Sequence, residues 1–310
     1  MLRLSARLGL FMTMLFSTVT ALLSRSDDAP LDSRWQVAFI AHVVQVGLSG
    51  RIMNADGTDV QNLSLDGQPV YYFDCSPDGG SLVFAAGDSV YVASADDQMR
   101  LVNTHGISAG EMSVSNRGEV IYNDVFHGTD KVYLVSASAS HQPAPISQLP
   151  TDGFGYGRMY DLSPEGSRVA YYTPGEANLY IASRTGDTLA RLPGVAFAAD
   201  WSPAGTMVAF SADWDGNFEI YVLDVAHHIT MQLTHQRRGY GNTFPAWSPD
   251  GRHIVFVHTE ASGLGSSYGG DLHVINVDGS AQRLLARFSD EVVTACVLDA
   301  RPALLTEGQS

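Results

Sequence analysis

Four groups of residues have types and spacings that could carry chemistry. Gly106-Ile107-Ser108-Ala109-Gly110 reads G-x-S-x-G, the pattern of a hydrolase nucleophile elbow, where a strand before the serine and a helix after it expose the hydroxyl. A strand, Glu111 to Ser115, is predicted after it instead, so the segment reads as a connecting loop and no catalytic residue is assigned. Asp213, Asp215 and Glu219 set carboxylates at alternate positions, like the start of a calcium loop, but the distal glutamate and flanking helices of an EF-hand are missing. No cofactor is assigned, and a weak site for calcium or another divalent ion is left open. None of the ten histidines has H-E-x-x-H or another ligand spacing, so no metal residue is assigned. The fourth group is aromatic and glycine-rich: TDGFGYGR at 151–158, HQRRGYGNT at 235–243 and HTEASGLGSSYGG at 258–270. Here Tyr156, Arg158, Arg238, Tyr240, Asn242 and Tyr268 are the candidate ligand-binding residues, tyrosine supplying amphipathic area and arginine a forked donor. The alternative is that these are ordinary loops with glycine turns.

The elements that must position these groups are set by a repeat. CSPDG at 75–79 recurs as VSNRG at 114–118, LSPEG at 162–166, WSPAG at 201–205 and WSPDG at 247–251, with a worn copy, CVLDA, at 296–300. A spacing of roughly 40–50 residues is that of a four-stranded propeller blade. Each copy lies between an apolar run and an alternating or apolar one, with proline fixing φ and glycine supplying the positive φ that closes a hairpin. Columns accompany the turns. Cys75, Val114, Leu162, Trp201, Trp247 and Cys296 are all apolar, whereas Asp74, Ser113, Asp161, Asp200, Ala246 and Ala295 are small or acidic. Alternation of this kind puts one column on each face of an innermost strand.

These residues resemble the TolB-like, WD-repeat-like propeller family, whose blade signature is W-S-P-D-G, then a strand, a polar turn and I-Y-V-x-D. The match is tight in "ADWSPAGTMVAFSADWDGNFEIYVLD" and "FPAWSPDGRHIVFVHTE", looser in blades two and four, and weakest in blade three, where VSNRG lacks the proline and the acid. The resemblance covers residues 35–305 and implies an all-β chain: six four-stranded antiparallel blades, with the ring closed by pairing N- and C-terminal segments in one blade. Only the propeller part is matched. TolB proteins also carry an α/β domain ahead of it, so the Tol-system role is not carried over. In such a blade the loop into the first strand and the loop between the second and third emerge at the same end. That end collects the three glycine-rich segments and the loops expected to hold His42, His105, His127, His235 and His258.

Arg3 and Arg7 precede an uncharged run, Leu8 to Ser24, which has the layout of an export signal. Residues 1–24 are therefore expected to be a signal peptide or N-terminal anchor, 25–34 a linker, 35–305 the propeller and 306–310 a tail. The formal net charge of -15 disfavours nucleic acid and anionic membrane surfaces, leaving membrane contact only through the N-terminal anchor. Cys75 and Cys296 are expected to stay unpaired, because inner strands of neighbouring blades are expected beyond the roughly 7 Å Cα limit for a bridge. The chain reads as a monomeric, exported, non-enzymatic propeller, periplasmic or extracellular, which binds a protein, peptide or envelope glycan. The alternative is a metal-dependent lyase or lactonase acting in the central channel.

Overall fold

The blade pattern follows from burial. Second and third strands are packed on both faces and read as apolar runs, whereas outer strands meet water. Ser81–Ala86 is buried almost throughout, while Thr188–Pro193 alternates between exposed and half-buried. The computed structural model describes residues 31–43, 47–87, 89–94, 99–103, 112–124, 131–135, 144–145, 149, 160–173, 177–194, 196–237, 239–260, 270–288 and 291–299.

The chain opens with β1 (Gln36–Val43), β2 (Gly47–Asn54) and β3 (Gln61–Asn62). Blade two holds β4 (Ser64–Leu65), β5 (Gln68–Cys75), β6 (Ser81–Ala86), β7 (Ser89–Ser94) and β8 (Met99–Asn103). Blade three holds β9 (Met112–Val114), β10 (Val120–Asp124), β11 (Lys131–Val135) and β12 (Ala144–Pro145); blade four holds β13 (Tyr160–Leu162), β14 (Arg168–Thr173), β15 (Asn178–Ser183) and β16 (Thr188–Pro193). Blade five holds β17 (Ala196–Trp201), β18 (Met207–Ala212), β19 (Glu219–Asp224) and β20 (Ile229–Gln232). Blade six holds β21 (Tyr240–Trp247), β22 (His253–Glu260), β23 (Asp271–Asn276) and β24 (Arg283–Ala286). The last strand, β25 (Glu291–Leu298), returns to pair with β1, giving the order β25-β1-β2-β3. Both ends of the chain thus share blade one, as expected, and every strand pairing is antiparallel. Blade two departs from four strands through β4, which forms a hairpin with β5 across Asp66 and Gly67, both at positive φ as a two-residue turn requires.

Each signature turn is built alike. The glycine N–H at 79, 118, 166, 205 and 251 donates to the carbonyl of the serine three residues earlier, at 2.7–2.9 Å, with glycine φ between 67° and 71°. The serine also closes the hairpin from inside: the hydroxyls of Ser163, Ser202 and Ser248 accept the N–H five residues on, at 3.0 Å each. The acidic column joins blades. Asp161 Oδ2 accepts the Trp201 N–H and Asp200 Oδ2 accepts the Trp247 N–H, each at 2.6 Å, and both indole N–H groups donate to the carbonyl of the same aspartate. Ser113 takes the place between blades three and four, accepting the Leu162 N–H at 3.0 Å and donating to Asp161 Oδ1 at 2.8 Å. A recurring bulge precedes this junction, with Ala198 and Phe244 at φ 55° and 53°, three residues before each tryptophan.

Ala246 and Ala295 cannot make such bonds, and the ring is closed differently there. A large apolar cluster joins blades six and one, including Trp35, Phe39, Phe244, Val257 and Leu272, and it also takes in Leu31. Between blades one and two, Cys75 and Cys296 form a disulfide, with Cα atoms 5.7 Å apart. The expectation of unpaired cysteines is therefore wrong. Inner strands converge toward the channel, and the two cysteines occupy one column of adjacent blades, well within bridging distance.

Candidate binding site at the loop end of blades five and six

Tyr240 and Asn242 were expected on a loop at the channel mouth. They are the first and third residues of strand β21, with Asn242 directly opposite His258 of β22, and they differ in role. Asn242 is fully buried, whereas Tyr240 is half-buried and stacks on the His258 ring with centroids 5.7 Å apart and planes 12° from parallel. Tyr156, Arg158, Arg238 and Tyr268 lie outside the described residues, as do His105, His127 and the G-x-S-x-G segment. His42 and His258 are strand residues, in β1 and β22, and His235 stands between β20 and β21.

Asn242 is fixed by Glu219, the first residue of β19, which is also fully buried. Glu219 accepts hydrogen bonds from the Thr234 hydroxyl, the Gln236 N–H and Asn242 Nδ2, the last at 2.9 Å. Asn242 turns its amide nitrogen to Glu219, which leaves its Oδ1 for His258. His258 Nδ1 stands 2.7 Å from that oxygen and, since an amide oxygen only accepts, carries a proton that it donates. Glu219, Asn242 and His258 thus form a positioning line across two blades. Glu219 is committed to it, so the carboxylates that remain at the calcium-like turn are Asp213 and Asp215.

His273, in β23, packs beside His258 with ring centroids 4.6 Å apart and beside Phe256 at 5.8 Å. Burial first, and the neighbouring His258 second, hold its pKa down to about 4, against the opposing pull of Asp271. Arg287 draws that aspartate outward, its Nε donating to Asp271 Oδ2 at 2.7 Å. What the site offers a ligand is therefore a stacked Tyr240–His258 pair held rigid from below. Among the described residues no three His, Cys, Asp or Glu side chains are grouped to share a metal ion.

The sequence pointed to Tyr240, Asn242 and His258 and, for a different role in the calcium-like turn, to Glu219, but not to His273. The signal for His273 was slight: it is one polar residue among Leu272, Val274 and Ile275 in the strand DLHVIN.

A cavity of about 470 Å³ lies at the opposite end, where the turns of blades six, one and two meet, lined by Asp32, Arg34, Trp35, Asp78, Asp250, Arg252, His253 and Asp299. Its charges largely face one another. Arg34 forks onto Asp32 at 2.8–3.2 Å, and Asp250 accepts the Ser248 hydroxyl and the Arg252 N–H. We read it as part of the ring closure.

Residues 160–298 match the TolB β-propeller domain family. The chain is a six-bladed β-propeller, and its second half matches this family. An uncharacterised protein of Agrobacterium fabrum is 31% identical to this chain over 132 residues, 39% of this chain and 41% of that protein. The chain thus spans about two fifths of the curated relative it matches. A putative TolB from Agrobacterium tumefaciens is similar over 87% of this chain and 93% of its own, with a TM-score of 0.59 at 19% identity. TolB from Acinetobacter baumannii is similar over 90% of this chain and 69% of its own, with a TM-score of 0.63 at 15% identity. At these identities the likeness to solved structures is one of fold.

Proposed function

We propose that this TolB-like propeller is an exported, non-enzymatic binding module that recognises a protein, peptide or envelope glycan through the end of the ring where Tyr240 stands. The observation that carries the reading is the Tyr240–His258 stack: a half-exposed aromatic whose partner is locked by buried Asn242 and Glu219, an anchor with little freedom to lose on binding. The buried carboxylates support it too. Asp161 and Glu219 accept hydrogen bonds from the neighbouring blade, so they serve the scaffold. Export is supported by the arginine-flanked apolar run of residues 1–24 and by the disulfide, which persists in oxidising compartments.

The test is a pull-down from envelope extract with the wild-type chain and with a Tyr156→Ala/Tyr240→Ala double variant. A discrete partner retained by the wild type and lost by the variant, with the unfolding temperature unchanged, supports the reading. Loss of the fold in the variant would make these tyrosines packing residues. Stoichiometric metal in the purified protein would favour the lyase or lactonase alternative.

A further inference from the structure

A second recognition element stands at the junction of blades four and five, on the same end of the ring. The turn between β18 and β19 carries Asp213-Trp214-Asp215-Gly216 and is closed by the Gly216 N–H donating to the Asp213 carbonyl at 3.0 Å. Trp214 keeps 43% of its surface exposed, whereas the other three tryptophans, Trp35, Trp201 and Trp247, are buried. It is nevertheless held in place. Its ring lies 4.6 Å from Tyr221, tilted by 56°, and meets Phe210 edge-on at 5.6 Å. On another side its Nε1 comes so close to Gly194 that a Cβ there would lie 2.2 Å away, and Gly194 has φ +115°, which other residues rarely adopt. The main chain leaving blade four is shaped to let the indole lie across it. The core fixes this ring without covering it.

Charge decides what such a ring would take. Asp213 and Asp215 flank it, and among the described residues neither enters a salt bridge. Asp215 accepts one hydrogen bond, from Gln232 Nε2 at 3.1 Å. Both acids act on the tyrosine beneath the indole: burial first, then Asp215, Glu219 and Asp213, push the Tyr221 hydroxyl up to about 12. Asp213 also raises Tyr172, after burial. The local potential is negative, which repels anions, and the face of an indole attracts a cation within about 6 Å of its centre. A neutral sugar could stack on the ring, yet it would leave two unneutralised carboxylates idle.

We infer that Trp214, flanked by Asp213 and Asp215, is a cation–π seat for an arginine or lysine side chain of a protein partner. Arginine fits best, since its planar guanidinium can lie on the indole while its N–H groups fork to a carboxylate. The seat stands apart from Tyr240, and its test does not depend on that surface.

Trp214 reports on itself, being the exposed indole of four. In the intact protein, caesium ions should quench its fluorescence more effectively than iodide, and Asp213→Asn/Asp215→Asn should abolish that preference. Acetyl-triarginine amide should protect Trp214 from acrylamide in a saturable way. Trp214→Leu, which keeps an apolar side chain on the core, should weaken peptide binding about fivefold or more, the order of an exposed cation–π contact. Trp214→Phe should recover part of it, and Tyr240→Ala should leave it unchanged. Equal peptide binding by wild type and Trp214→Leu would show diffuse attraction to an acidic protein and overturn the inference. Protection by a neutral trisaccharide but not by the peptide would overturn it as well. Should Trp214→Leu fail to fold, the caesium and iodide comparison on the wild type and the double asparagine variant still decides.

Discussion

The junctions among blades three to six and the closure through blades six, one and two solve one problem in two ways. Along the first stretch, a small or acidic residue on each inner strand accepts the N–H of the next strand: Ser113 to Leu162, Asp161 to Trp201, Asp200 to Trp247. At the closure that column is alanine, and the ring depends on an apolar cluster and a covalent bond. The difference has a physical source. Blades three to six follow one another along the chain, so the main chain already joins each to the next and a hydrogen bond suffices to set their register. The closure joins residues 221 apart in sequence, where the entropy of holding the two ends together is largest, and a disulfide constrains the unfolded chain most.

Breaking the covalent closure should have the largest effect. Cys75→Ala/Cys296→Ala should lower stability by about 2–5 kcal/mol, read as a shift in denaturant midpoint under oxidising conditions. No shift would mean the apolar seam alone closes the ring. Removing a polar junction should cost less. Asp161→Ala leaves the buried Trp201 N–H without its acceptor and should cost about 1–3 kcal/mol, with Asp161→Asn recovering part, because an amide oxygen still accepts. If that loss equalled the loss from the cysteine double variant, the two regions would not differ as argued.

The loop end should respond to pH. Because the folded protein holds the His273 pKa near 4, below the unfolded value of about 6.5, the unfolded chain binds a proton first as pH falls. Stability from this residue is present above about pH 6.5, declines down to about pH 4 and is then level. The unfolding temperature of His273→Gln should vary less over that window than that of the wild type, whereas parallel curves would contradict the buried neutral histidine. Smallest of all is Tyr240→Ala, half-exposed at the rim, for which a change under about 1 kcal/mol is expected by chemical denaturation. A larger loss would make the stack on His258 a structural element.

Much of this was legible in sequence, for reasons the structure makes plain. The signature turns recur because serine, proline and glycine each meet a local requirement, which survives even in VSNRG without proline. The acidic column was visible as a column, though not its role, since its partners belong to the next blade. The disulfide was misread because column membership carries no distance. The Glu219, Asn242 and His258 line was hidden because it is assembled from three strands of two blades, and Trp214 because sequence does not report exposure. Charge and spacing alone made its turn look like the start of a calcium loop.

The central claim, recognition through the loop end, is tested most directly by placing a photo-crosslinking benzoylphenylalanine at position 240 and, separately, at Leu284, which is exposed on an outer strand of the same blade. Illumination in cells should give a discrete higher-mass adduct from position 240 and none from position 284. Adducts from position 284 alone, or none from either with the protein folded and exported, would contradict a binding surface at Tyr240.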